Sequence, residues 1–121
     1  MLFRSLLQVN VSREASKTGF AVEELPGIWE SIVAYAGRVE IRGLMTMAAE
    51  SADPEEARPV FAELRRLRDR LSEAAATHAS GICLNELSMG MSGDFEPAIE
   101  EGATLIRLGS LLFEGLSSTT V

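Results

Sequence analysis

Lysine is almost absent from this chain: of 11 basic residues, Lys17 is the only lysine. Against 18 acidic residues the formal net charge is −7. The basic face that marks nucleic-acid binding is missing, so nucleic acid is not an expected partner. Cysteine occurs once, at Cys83, which excludes an internal disulfide framework and fits a reducing, cytoplasmic compartment. Histidine also occurs once, at His78. One His and one Cys supply too few ligands for a metal centre. No apolar run is long enough to cross a membrane. The opening MLFRSLLQVNV imitates a signal peptide, but Gln8, Asn10 and Ser12 break its apolar stretch early, and it reads instead as the lead-in to a strand. Neither a catalytic triad nor a Walker-type loop is present.

What remains is a globular composition, 46% hydrophobic over 121 residues, enough for one domain with a modest core. Leu6–Val11 reads as a buried strand, followed by a polar loop closed by Gly19. Val22–Gly37 reads as a helix: Leu25, Ile28, Trp29, Ile32, Val33 and Ala36 recur at helical spacing, Pro26 fits only the first turn, and Gly37 is a stop. Val39–Met47 reads as a second strand. Ser51 or Asp53 then caps a long helix with Pro54 at its first position and Val60, Leu64, Leu67, Leu71 and Ala75 along one side. Pro59 is expected to kink its start. A third strand falls within Ile82–Met89, and a short helix follows, capped near Asp94, with Ala98 and Ile99 inward and Gly102 at its end. Thr104–Gly109 reads as a fourth strand, and residues 116–121 as a mobile tail.

Strands alternating with helices imply an α/β fold with parallel pairing and right-handed crossovers. Each β-α unit takes roughly 30 residues, and eight such units close a barrel of about 250 residues. The chain therefore holds about four units, half of such a barrel, as a single domain over residues 1–121.

The run Asn85–Phe95, NELSMGMSGDF, suits neither a strand nor a helix. A strand end, a glycine-rich turn and a helix start form a ready anion site, because unpaired N–H groups carry partial positive charge. Gly90 and Gly93 let the backbone approach a ligand, and Ser88 and Ser92 add hydroxyls. Gly109 and Ser110 repeat the pattern after the next strand. In barrel enzymes the loops after the last two strands often hold a phosphate, so these turns read as a pair of phosphate-binding loops. A plain loop is the alternative.

The segments LLQVNVSREASKTGF, VEIRGLMTM, DPEEARPVFAELRRLRDRL and LSMGMSGDFEPAIEEGATLIRLGSLLFEG closely resemble the pyridoxal phosphate homeostasis protein family (YggS-like), which is related to the N-terminal domain of alanine racemase. The resemblance runs from about Leu6 to Gly115. It implies the C-terminal half of a (β/α)8 barrel that holds pyridoxal 5′-phosphate at the C-terminal ends of its strands. By the same resemblance Ser88 contacts the phosphate, Gly109 and Ser110 offer it N–H groups and a hydroxyl, Met89 and Gly90 stand beside it, and Arg107 faces the pyridine nitrogen. An arginine there cannot accept the proton that electron-sink enzymes share with an acid, which suits a carrier better than a transaminase. The lysine that carries the family's cofactor lies upstream of anything in this sequence, which starts at about the fifth family strand. Lys17 matches a different family position and is the one internal candidate for a secondary cofactor lysine; otherwise it is an exposed loop cation.

Three functions follow in order. The first is non-catalytic binding of pyridoxal 5′-phosphate for cofactor homeostasis. The second is a half barrel without covalent cofactor that self-associates as a homodimer through exposed barrel edges. The third is an amino-acid racemase, which in the related enzymes needs an opposed lysine and tyrosine; Tyr35, the only tyrosine, is placed on a helix. Other side chains read as structural. Arg107 can instead pair with Glu86 or Asp94, Cys83 belongs to the core, and Met45, Met47, Met89 and Met91 fill the barrel interior. The RRLRDR run is a solvated face balanced by Glu63, Asp69 and Glu73.

Overall fold

A parallel sheet runs through the computed structural model, which describes residues 3–116. Its strands are β1 (Phe3–Asn10), β2 (Phe20–Ala21), β3 (Val39–Met45) and β4 (Glu86–Ser88), in the spatial order β2-β1-β3-β4. The crossovers that parallel pairing requires are α1 (Leu25–Val33), the pair α2 (Arg58–Ser72) and α3 (Ala75–Ser80), and α4 (Phe95–Glu100). A 3-10 turn, Pro54–Ala57, leads into α2. The 116–121 tail expected to be mobile falls, from Ser117 on, outside the described residues. No helix among the described residues is long and apolar enough to cross a membrane.

Register explains the core. Leu7 pairs with Leu44, and Leu44 with Leu87; partners across a sheet share a face. Leu44 and Leu87 are fully buried with Val9 and Met89, and Leu7 packs against them. One pairing step carries an irregularity: Ser5 pairs with Ile41 but Leu6 with Gly43. Arg42 is the extra residue, and an extra residue reverses the alternation. Ile41 and Leu44, three apart, thereby both reach the buried cluster. On α2, Phe61, Leu64, Leu67 and Leu71 cover this face. Trp29 of α1 is locked to the same cluster, its Nε1 donating to Thr77 Oγ1 at 2.6 Å, while Thr77 Oγ1 donates to the Leu71 carbonyl at 2.6 Å.

The opposite face carries the row Gln8–Met45–Ser88–Leu105, again partners across the sheet. It is the inner face of the half barrel.

Several elements differ from expectation. β1 starts at Phe3 rather than Leu6, β3 ends at Met45 rather than Met47, and the polar loop after β1 runs into the short strand β2. The first helix is shorter than Val22–Gly37. Tyr35 N–H and Ala36 N–H bond three residues back, to Ile32 and Val33, which tightens the chain into turns. Tyr35 is therefore on a turn, and Ile28 stays partly exposed. Asp53 caps the long segment, accepting from Glu55 N–H at 3.0 Å. The α-helix proper starts only at Arg58, so the expected kink is a change from 3-10 to α geometry. Ala75 belongs to α3, because the chain turns extended at Ala74. Ile99 is half exposed while Ala98 is fully buried.

The expected fourth strand is reduced to a bridge between Ser88 and Leu105. Leu105 N–H donates to Leu87 at 3.2 Å, Met89 N–H to Leu105 at 3.0 Å, and Arg107 N–H to Gly90 at 2.9 Å. The ladder stops because Gly90, at φ +103°, leaves strand geometry.

Gly43 sets the closest approach in the sheet: a Cβ there would stand 1.8 Å from the Glu86 carbonyl oxygen. Gly43→Ala is expected to lower stability by well over the ~1 kcal/mol typical of point substitutions, read as the shift in urea midpoint.

Candidate functional site

The C-terminal ends of the strands gather most of the expected residues. β4 brings Ser88 to the rim, where it is nearly buried. The backbone then turns through Gly90. A Cβ at Gly90 would lie 2.7 Å from Ala98 Cβ, so the absence of a side chain here lets α4 pack on the strand end. Met89 lies in the core cluster against the helices, not in the barrel interior, and Met91 is exposed. Met45 and Met47 are partly exposed.

Beyond Gly90, a cleft of about 780 Å³ opens between the 48–54 loop and the facing turns, which contribute Ser92, Gly93, Asp94, Gly109 and Ser110. Ser92 Oγ accepts from the N–H groups of Gly109 at 3.3 Å and Leu111 at 3.1 Å. Two amide donors thus converge on one oxygen at the cleft wall. They belong to the last turn, the second of the two loops expected to bind phosphate, and not to the start of α4. Asp94 also differs from expectation: its carboxylate accepts from Met91 N–H at 2.8 Å and makes no side-chain cap on α4.

Arg107 reaches back across the rim. Its Nη2 donates to the Thr46 carbonyl at 3.0 Å, and its Nε is buried with no partner among the described residues. Burial pushes the guanidinium below its ordinary pKa, opposed by the charge of Asp94. The alternative ion pair is not formed: Glu86 Oε2 instead accepts from Thr104 Oγ1 at 3.2 Å, and neither Glu86 nor Asp94 is in salt-bridge contact with Arg107.

Lys17 is not the exposed loop cation it might have been. Its Nζ donates to the carbonyls of Met47 at 3.3 Å and Ala48 at 3.0 Å, and stands 3.7 Å from the Glu14 carboxylate. Ala48 lines the cleft. Arg107 and Lys17 therefore arrive from opposite sides on three consecutive carbonyls at the end of β3. Thr46, missed in the sequence, joins them: fully buried, it donates from Oγ1 to the Val9 carbonyl at 2.7 Å. A lone hydroxyl residue among apolar ones at a strand end was its only signal.

The remaining candidates lie elsewhere. Cys83 is exposed rather than in the core, because β4 starts only at Glu86 and the preceding residues are irregular. His78 sits in the last turn of α3. Among the described residues no group of three His, Cys, Asp or Glu side chains could hold a metal ion. Of the acids expected to balance the arginines of α2, Asp69 pairs with Arg68 at 2.8 Å, whereas Arg65 pairs with Glu101 at 2.8 Å and Glu63 with Arg13. Arg58 binds Glu55 at 2.6 Å, Glu100 at 2.9 Å and Glu101 at 3.1 Å, bracing α4 against the start of α2.

The fold and site together define half of a (β/α)8 barrel whose open cleft lies at the strand ends, where such barrels place their chemistry. Residues 3–117 match the family model described as alanine racemase, N-terminal domain, and the chain belongs to that family. It is 44% identical over 108 residues to a pyridoxal phosphate homeostasis protein of Aquifex aeolicus, covering 89% of this chain and 45% of that protein. It is also 44% identical over 107 residues to the one of Pseudomonas aeruginosa, covering 88% and 42%. PipY of Synechococcus elongatus without its ligand superposes with a TM-score of 0.78 at 34% identity, covering 91% of this chain and 49% of PipY. With PLP bound, PipY gives 0.73 at 33% identity, covering 91% and 48%. The chain thus spans about half the length of these relatives.

The brace on α4 has a pH signature. Arg58 holds the carboxyls of Glu55 and Glu101 below the usual carboxylate range, mainly through hydrogen bonds; Arg13 does the same for Glu23. A lowered folded pKa gives stability that is complete above the unfolded value and is lost as pH falls through the folded one. Urea midpoints should therefore hold level near neutrality and drop below about pH 4. Arg58→Gln should flatten that drop.

Proposed function

We propose that the chain binds pyridoxal 5′-phosphate at the rim of its sheet without turning over a substrate, and serves the supply and buffering of that cofactor inside the cell. The observation that carries this reading is the buried Nε of Arg107, a donor with no acceptor among the described residues, two residues before Gly109 and Ser110 of the cleft wall. Leaving such a group unpaired costs about 1–3 kcal/mol, and an acceptor supplied by a ligand removes the penalty.

The residues fit the group at both ends. Gly109, Ser110 and the 88–92 turn would hold the phosphate, with Ser92 Oγ standing where an anion oxygen would be received. Arg107, fixed through the Thr46 carbonyl, would face the ring nitrogen. An arginine has no proton to surrender near neutral pH, so it orients the ring and supplies no acid. Lys17 offers the one side-chain amine, held at the cleft wall by two carbonyls. When bound, the cofactor supplies an aldehyde reactive toward amines and a ring that can accept electron density. Tyr35, on its turn after α1 and exposed, does not provide the opposed pair that racemisation requires.

A titration with pyridoxal phosphate, read by absorbance with and without borohydride, tests this. Saturable binding that inorganic phosphate competes away is expected, with the trapped mass on Lys17 after peptide mapping. Lys17→Ala should lose the trapped mass, and Arg107→Ala should weaken binding about tenfold, or ~1.4 kcal/mol. Absence of saturable, phosphate-competed binding would contradict the proposal.

Self-association is a second reading, favoured by exposed apolar groups at both open edges of the sheet: Phe3 is 82% and Leu105 45% exposed. Unpaired edges recruit other strands. Light scattering should give the mass of a dimer, reduced toward that of a monomer by Leu105→Lys; a monomeric parent chain would refute it.

A further inference from the structure

The loop between β1 and β2 contains one residue with an uncommon backbone. Arg13 has φ +61°, the left-handed region, and is the one non-glycine with positive φ among the described residues. A side chain in that region persists only where its surroundings over-determine it. Here they do. The guanidinium has five N–H donors, and its bonds engage every nitrogen. Nε and Nη2 donate to Glu23 Oε1 at 3.1 and 2.6 Å, and Nη1 and Nη2 to the Glu63 oxygens at 3.2 and 2.8 Å. Nη1 also donates to the Val11 carbonyl at 2.9 Å. One group therefore ties together the start of the loop, the segment after β2, and helix α2.

The far side of the same loop carries Lys17. Asn10 Nδ2 donates to the carbonyls of Glu14 at 2.8 Å and Lys17 at 3.5 Å, and Lys17 N–H donates to Glu14 at 3.2 Å. These bonds make residues 10–17 one closed turn with two outside anchors: Arg13 on α2, and Lys17 Nζ on the end of β3. Exposed ion pairs are individually weak. A fork that joins two carboxylates from different elements fixes a loop better than either pair alone, because both must break before the loop moves.

We propose that Arg13 is a positioning residue that locks this loop so that the Lys17 amine is held over the end of β3 at the cleft wall. The role in cofactor binding rests on the reading of Lys17 given above; the positioning itself does not.

The test is the rate at which Lys17 is reductively methylated in the full chain without cofactor. Lys17 is the only lysine, and peptide mass mapping separates it from the N-terminal amine. Arg13→Gly keeps the positive φ without strain but removes the whole side chain and frees the backbone; Glu63→Ala leaves residue 13 as it is and removes the anchor on α2. Both should label Lys17 about tenfold faster than the parent chain, the ratio that ~1.4 kcal/mol produces. Ser72→Gly, which loosens α2 at its other end from Glu63, should label at the parental rate. Parental rates in Arg13→Gly, or equal acceleration in Ser72→Gly, would overturn the proposal. Faster labelling in a chain that fails to trap pyridoxal phosphate would leave the positioning standing and refute the cofactor role of Lys17; trapping with unchanged labelling would do the reverse.

Discussion

Three consecutive carbonyls at the end of β3 hold the rim together. Thr46 accepts from Arg107, and Met47 and Ala48 accept from Lys17. Strand β3 can offer them because it is interior to the sheet, paired with β1 on one side and β4 on the other. Its position depends in turn on the extra residue Arg42, which lets both Ile41 and Leu44 face the helices, and on Gly43, which admits the Glu86 backbone. A shift of one residue in β3 would exchange the buried and inner faces and remove the carbonyls from both cations.

Charge at the rim is arranged against the average of the molecule. The chain carries a net charge of −7, and Glu50, Asp53 and Asp94 border the cleft. An anion there meets repulsion from these acids and attraction from Arg107 and Lys17. Amide N–H groups of the last turn add positive partial charge at a lower desolvation cost than an ion. Gly109 and Leu111 N–H converge on a single hydroxyl oxygen, Ser92 Oγ, and the proposed phosphate site rests on that geometry. The Arg58 brace holds α4, and with it the Ser92 side of the cleft, on the start of α2.

Much of this was legible in the sequence, for identifiable reasons. The β-α alternation and the long α2 face follow from hydrophobic period, which burial enforces directly; Leu64, Leu67 and Leu71 sit as expected. The two glycine and serine turns do meet at one cleft. What was not legible depends on partners distant in sequence. Thr46 acquires its role from Val9 and Arg107, and Arg13 from Glu63, 50 positions away. The glycines were ambiguous because a need for close approach does not say to what: a side chain at Gly90 would meet Ala98 of α4. Cys83 and Ile99 were misplaced because element ends set their exposure, and ends are the part of a pattern that period fixes least.

Backbone amide shifts of the isotope-labelled chain during a pyridoxal phosphate titration test the central claim most directly. Saturable shifts confined to Ser88–Ser92, Arg107–Leu111 and the neighbourhood of Lys17 would place the ligand on the rim. Shifts that fail to saturate, or that centre away from the ends of β3 and β4, would show that these residues shape the fold and hold no cofactor.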